Sequence, residues 1–104
     1  MAKKIFFLGD SLDRIRAFPL KARNDVGTEL RRVQLGTEPM DWKPLKAVGA
    51  GVREIRVRDE DGIFRVIYLA KRPEGIYVLN AFQKKTQTTA KRDLDLASRR
   101  LKDI

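Results

Sequence analysis

The chain has 104 residues, 42% hydrophobic and 36% charged, which suits one compact domain and is too short for two independent cores. Lys and Arg number 23 against 14 Asp and Glu, a formal net charge of +9 that draws a protein toward nucleic acid or an acidic protein partner. With neither Cys nor His present, thiolate chemistry, Cys/His zinc sites and an imidazole general base are excluded.

Residues 3–8 are rich in β-branched and aromatic side chains and read as a first strand. Gly9-Asp10 ends this apolar run short of signal-peptide or membrane length, so a cytoplasmic protein with no membrane partner is expected. Asp10 or Ser11 can cap a short helix carrying Leu12, Ile15 and Phe18, which Pro19 separates from a second helix starting near Leu20. There Ala22, Val26, Leu30 and Val33 recur on one helical face, and Gly36 supplies a stop.

Residues 37–51 hold Pro39, Pro44, Gly49 and Gly51 and read as an ordered loop anchored by Trp42 and Leu45. Three strands follow, over 52–58, 63–70 and 76–82, with turns at 59–62 and 71–75 that make them an antiparallel meander. Leu94, Ala97 and Leu101 then mark a last helix, with Thr88 or Thr89 available as its cap. The order β-α-α-β-β-β-α describes an α+β domain, its antiparallel sheet covered by helices on one face and open on the other as a binding platform.

Alternation in the strand over 52–58 sorts Ile55 and Val57 to one face and Glu54, Arg56 and Arg58 to the other. A loop over 59–62 sets Arg65 opposite Arg56, and a tighter turn sets it opposite Arg58; in either register the arginines point the same way. Opposed like charges are unfavourable unless an anion sits between them, which suggests a phosphate-facing site. The alternative is a salt bridge from Arg65 or Arg56 to Glu54, and the two arrangements can coexist, with Glu54 orienting the cations.

The segment Gln83-Lys84-Lys85-Thr86-Gln87-Thr88-Thr89 offers ammonium, hydroxyl and amide groups to phosphate or sugar, or else is a solvated loop. Phe82 can stack on a base or belong to the core. Lys91, Arg92, Arg99, Arg100 and Lys102 make the last helix a secondary basic surface, unless they are simply the polar side of an amphipathic helix.

Taken together, Trp42-Lys43-Pro44-Leu45-Lys46, Gly51-Val52-Arg53-Glu54-Ile55-Arg56, Phe64-Arg65-Val66-Ile67-Tyr68 and Leu79-Asn80-Ala81-Phe82-Gln83-Lys84-Lys85-Thr86 resemble the phage-derived, HigB-like branch of the RelE/ParE toxins. The similarity extends over residues 3–102. It implies a RelE-like fold and a toxin that enters the ribosomal A site and cleaves mRNA, neutralised by an antitoxin that in this branch is often a helix-turn-helix protein. By the same resemblance Arg65 matches the arginine that contacts the scissile phosphate. Arg56 falls near a basic strand residue of that site, and Lys85, or its neighbour Lys84, near the basic residue ending the last strand.

The sequence departs from better-known members in having Lys91 where they carry a tyrosine, and in lacking histidine. Catalysis then falls to positioning of the 2′-hydroxyl, to Arg and Lys stabilising the pentacovalent phosphate, and to Glu54 or a lysine of lowered pKa moving the proton. The expected catalytic set is Arg56, Arg65, Lys85, Lys84 and Glu54, with Arg58, Phe82, Thr86, Lys91 and Arg92 binding RNA. No cofactor is called for, and Asp59-Glu60-Asp61 lie in a turn without a partner cluster for a metal. Two other readings stay open: a gyrase-inhibiting toxin of the ParE kind, and a non-catalytic component whose basic surface binds the antitoxin and, through it, operator DNA.

Overall fold

The computed structural model describes residues 2–84 and 89–104. The expected sites Lys85 and Thr86, and the candidate cap Thr88, lie outside the described residues. The order is β1 (Ile5–Phe7), α1 (Ser11–Arg16), α2 (Leu20–Gln34), β2 (Trp42–Pro44), β3 (Val52–Asp59), β4 (Gly62–Arg72), β5 (Gly75–Lys84) and α3 (Lys91–Lys102). No helix among the described residues is long and apolar enough to cross a membrane.

The fold is α+β, as expected, and its five strands form one sheet in the order β1-β5-β4-β3-β2. The β3-β4-β5 meander is antiparallel, with Arg56 opposite Arg65 and Asp59 opposite Gly62. Around that turn the Asp61 amide donates to the Asp59 carboxylate at 2.7 Å, an Asx turn that closes the hairpin.

Three features differ from expectation. β1 pairs parallel to β5, because α1 and α2 intervene before the chain re-enters the sheet, so the sheet is mixed rather than wholly antiparallel. Trp42–Pro44, expected as loop, pairs with β3 as an edge strand; Pro44 is tolerated at the edge, and the Arg53 guanidinium lies 3.9 Å from the Trp42 ring centroid.

The third difference concerns the helices. Ala22, Val26, Leu30 and Val33 of α2 are buried against Ile55, Val57, Phe64 and Val66, each fully buried Val or Leu contributing roughly 1.5–3 kcal/mol. Ala97, Leu94 and Leu101 of α3 pack instead with Val52, Ile67 and Leu69, residues of opposite parity on the same strands. Helices therefore lie on both faces, and α3 covers part of the face expected to be open.

α3 is held there partly by Arg100, which had been placed on the basic surface. Its guanidinium donates to Asp10 Oδ1 at 2.6 Å, to Ser11 Oγ at 3.2 Å and to the Leu79 carbonyl at 2.9 Å. Gly9, at φ +55, passes directly beneath it, and a Cβ there would collide with the guanidinium. Asp10 stands at the N-cap of α1 without making a side-chain cap bond, because its carboxylate is taken by Arg100 and, at 2.9 Å, by Arg14. These two hydrogen bonds, Arg100 first, lower the Asp10 pKa to about 2.

β5 contains a bulge. Ile67 pairs with Asn80 and Tyr68 with Val78, leaving Leu79 as an extra residue. Val78 joins the α2 core, whereas Leu79 and Phe82 join the α3 core, so the bulge changes the phase of the strand. Without it the side chains of residues 82 and 84 would point toward α2.

Candidate nucleic-acid interface

On the α3 side of the sheet, beyond the end of the helix packing, β2, β3, β4 and β5 bring charged side chains together. Glu54 is fully buried and Arg65 is 2% exposed, and the Arg65 guanidinium donates to the Glu54 carboxylate. Thr89, just before α3, accepts from Arg65 Nη1 at 3.3 Å and donates to Glu54 Oε2 at 3.0 Å. Lys43 Nζ of the edge strand lies 3.9 Å from the other Glu54 oxygen.

Arg56, directly across from Arg65, forms an ion pair with Asp41 at 3.8 Å. The two opposed arginines thus each have a carboxylate, Arg65 by reaching diagonally along its partner strand, which relieves the repulsion of a directly facing pair. One buried guanidinium nitrogen on each, Arg56 Nε and Arg65 Nε, has no hydrogen-bond partner among the described residues. Buried donors left in this way are uncommon and suit a site that receives an acceptor from outside.

Lys84 completes the cluster from β5. Its pKa is lowered, first by partial desolvation and then by the nearby charges of Arg65, Lys43 and Arg56, against the opposing pull of Glu54. A lysine so placed binds an anion and gives up its proton more readily than an ordinary lysine does.

The expected site residues therefore divide. Glu54, Arg56, Arg65 and Lys84 are brought together. Of the two arrangements open for Arg65, a phosphate-facing cation or a salt bridge to Glu54, the structure has the salt bridge, because a guanidinium in a nearly apolar strand needs a counterion and Glu54 is the carboxylate within reach. Arg58 shares the face but lies exposed toward the hairpin end. Phe82 is 8% exposed and belongs to the α3 core, so its ring is not an open stacking surface, although it borders the neighbouring cleft.

Lys91 is not drawn into the cluster: its ammonium donates to Asp95 at 2.8 Å along its own helix. Arg92 lines a cleft between α3 and the end of β5, together with Lys84 and Thr89. Among the described residues no three acidic side chains gather as metal ligands would.

Sequence reasoning did not place Lys43, Thr89 or Asn80. Lys43 is recognisable only once β2 is paired, since Lys43 then lies opposite Glu54. Thr89, one of the two threonines available by sequence as a cap for α3, is not the cap: Ala90 holds that position and makes no side-chain cap bond, leaving the Thr89 hydroxyl to the ion pair. Asn80, fully buried, accepts from Arg14 at 3.4 Å and donates to the Asp93 carbonyl at 3.2 Å, tying β5 to both flanking helices.

No curated protein matches the sequence. The family model described as "Phage derived protein Gp49-like (DUF891)" matches residues 13–102, a span that contains every residue of the cluster, and the chain belongs to that phage-derived, Gp49-like family.

Proposed function

We propose that the chain is the toxin of a type II toxin-antitoxin pair, a ribosome-dependent endonuclease that cuts mRNA and is neutralised by a cognate antitoxin. The observation that carries this reading is the convergence of Arg56, Arg65, Lys43 and Lys84 on one sheet face around a buried glutamate, with two buried guanidinium nitrogens that have no hydrogen-bond partner among the described residues. Membership of a phage-derived family and the resemblance to HigB-like toxins support it.

In this mechanism the scissile phosphate lies over Arg56 and Arg65. The 2′-hydroxyl oxygen bonds to phosphorus as its proton leaves, the bond from phosphorus to the 5′-oxygen breaks, and that oxygen departs with the bonding pair and takes up a proton. Lys84, in its neutral form, is suited to removing the first proton, and the guanidinium groups stabilise the extra negative charge on the pentacovalent phosphorus. Glu54 acts as a positioning residue, holding Arg65 rather than touching RNA. The ribosome supplies the alignment of attacking and leaving oxygens that this small site lacks. The antitoxin, of helix-turn-helix type by the resemblance, blocks the face and links the complex to operator DNA.

The test is induced expression of the wild type, Lys84→Ala and Arg56→Ala, with mRNA 5′ ends mapped with and without active translation. Cuts within translated codons that require translation and disappear in Lys84→Ala are expected. Growth arrest with intact mRNA would overturn the reading and direct attention to DNA gyrase. Arg65→Ala is a poorer probe, because it also strands the buried Glu54 carboxylate.

A further inference from the structure

The cleft beside the cluster is not explained by cleavage at a single phosphate. It has a volume of about 520 Å³, within the range of about 300–1,000 Å³ typical of small-molecule sites. Four cations and one carboxylate line it, Arg14, Lys84, Arg92, Arg99 and Asp93. Arg14 is occupied by Asp10 at 2.9 Å and lies 3.9 Å from Asp93, so it forms a fixed wall.

Arg92 and Arg99 are different. Both are exposed, and among the described residues neither has an ion-pair partner, although Asp95 and Asp93 lie on the same helix. Phe82 and Leu96 add apolar side chains to the lining of the same cleft. Cations and apolar side chains within one cleft match the two ends of a nucleotide, its phosphate and its base.

The cleft is also continuous with the charged cluster. Lys84 belongs to both, and Thr89, which lines the cleft, is hydrogen-bonded to Glu54 and Arg65. A chain of phosphates held at Arg56 and Lys84 has here its next cationic station.

We propose that the cleft between α3 and the end of β5 is a second subsite, which takes a nucleotide of a single-stranded RNA adjacent to the one held at Arg56, Arg65 and Lys84. Arg92 and Arg99 bind its phosphate, and the base lies against Leu96 and the edge of Phe82. The proposal rests on the nuclease reading for the choice of RNA, and its test is made independent of cutting.

The probe is a fluorescein-labelled single-stranded hexanucleotide with 2′-deoxy sugars, which cannot be cut by 2′-hydroxyl attack. Its affinity for the wild type, Arg92→Ala, Arg99→Ala and, as an exposed basic control outside the cleft, Lys46→Ala is followed by anisotropy over a salt series. Arg92→Ala and Arg99→Ala are each expected to weaken binding about three- to tenfold and to reduce the magnitude of the log–log salt slope by about 0.7, the value for one lost phosphate contact on a single strand. Lys46→Ala is expected to leave both unchanged.

Wild-type affinity and slope in both arginine variants would overturn the subsite, as would equal losses in all three variants, or no binding of the hexanucleotide by the wild type. Loss of binding in the two arginine variants alongside intact cellular mRNA would keep the subsite and remove the nuclease. Normal mRNA cleavage with unaltered hexanucleotide binding would do the reverse.

Discussion

Glu54 and Arg65 form a buried ion pair across the β3–β4 ladder, offset so that Arg65 lies opposite Arg56 yet reaches back to the carboxylate two residues along. The pair settles how a sheet face can carry two facing arginines: one is neutralised within the protein, and the other is left close to solvent with a weak partner at 3.8 Å. It also links stability to the proposed activity, because Arg65, proposed to lie under the scissile phosphate, is itself buried.

Breaking this pair by Arg65→Ala or Glu54→Ala is expected to cost about 3–5 kcal/mol, since each leaves an uncompensated charge in the interior. Replacing both residues together, Glu54→Leu with Arg65→Met, is expected to recover most of that loss while abolishing the proposed mRNA cleavage. Urea denaturation of the three variants checks this. A single variant losing less than about 1 kcal/mol, the scale of a surface pair, would mean that the pair is solvated in solution.

Thr89→Val keeps the shape of the side chain and removes the hydroxyl that joins Glu54 to Arg65. Hydrogen bonds to charged groups contribute about 1.5–3 kcal/mol, so a destabilisation in that range is expected, with near-complete recovery in Thr89→Ser. Denaturation midpoints of the two variants give the answer. Loss in Thr89→Ser with none in Thr89→Val would indicate that the threonine methyl matters rather than the hydroxyl.

Lys84 is held below the usual lysine value by desolvation and by its cationic neighbours. A bound phosphate raises that value again, so binding takes up a proton wherever free Lys84 is partly neutral. Affinity for a single-stranded oligonucleotide is therefore expected to fall as pH rises through the lowered value, before ordinary lysines titrate. Lys84→Arg remains charged throughout and should show a flatter profile over pH 7–10. Parallel profiles for the two proteins would place the titrating group elsewhere.

Asp10 carries a pKa of about 2 against the ordinary 3.8, held down by Arg100 and Arg14. A carboxylate depressed on folding contributes stability that is fully present above its unfolded value and is lost as pH falls through its folded one. Asp10→Asn is thus expected to be less stable than the wild type at neutral pH, by about 0.5–1 kcal/mol given the solvent screening of a half-exposed side chain. The difference should close between about pH 4 and pH 2. Thermal melts of both proteins across that range measure it, and a difference unchanged at pH 2 would assign the effect to packing instead.

Much of this architecture was legible along the chain because period and punctuation are local. The four-residue recurrence from Ala22 to Val33 names the buried face of α2, and alternation over 52–58 separates Ile55 and Val57 from Glu54 and Arg56 without reference to any other element. Excess positive charge, the absence of His and Cys, and the shared face of the arginines follow from composition and parity alone.

Tertiary structure decided the rest, for reasons that no local pattern contains. The bulge at Leu79 depends on what packs against both faces of β5, and it turns Phe82 and Lys84 toward α3. Lys43 reaches Glu54 only because an edge strand forms where Pro and Gly suggested a loop. Whether Arg65 meets solvent or a carboxylate, and whether Thr89 caps a helix or bridges an ion pair, turned on distances between residues 11 and 35 positions apart in sequence. Sequence specifies which charges lie on a face; only packing determines which of them remain free to meet a ligand, because a buried charge must first be neutralised by a neighbour.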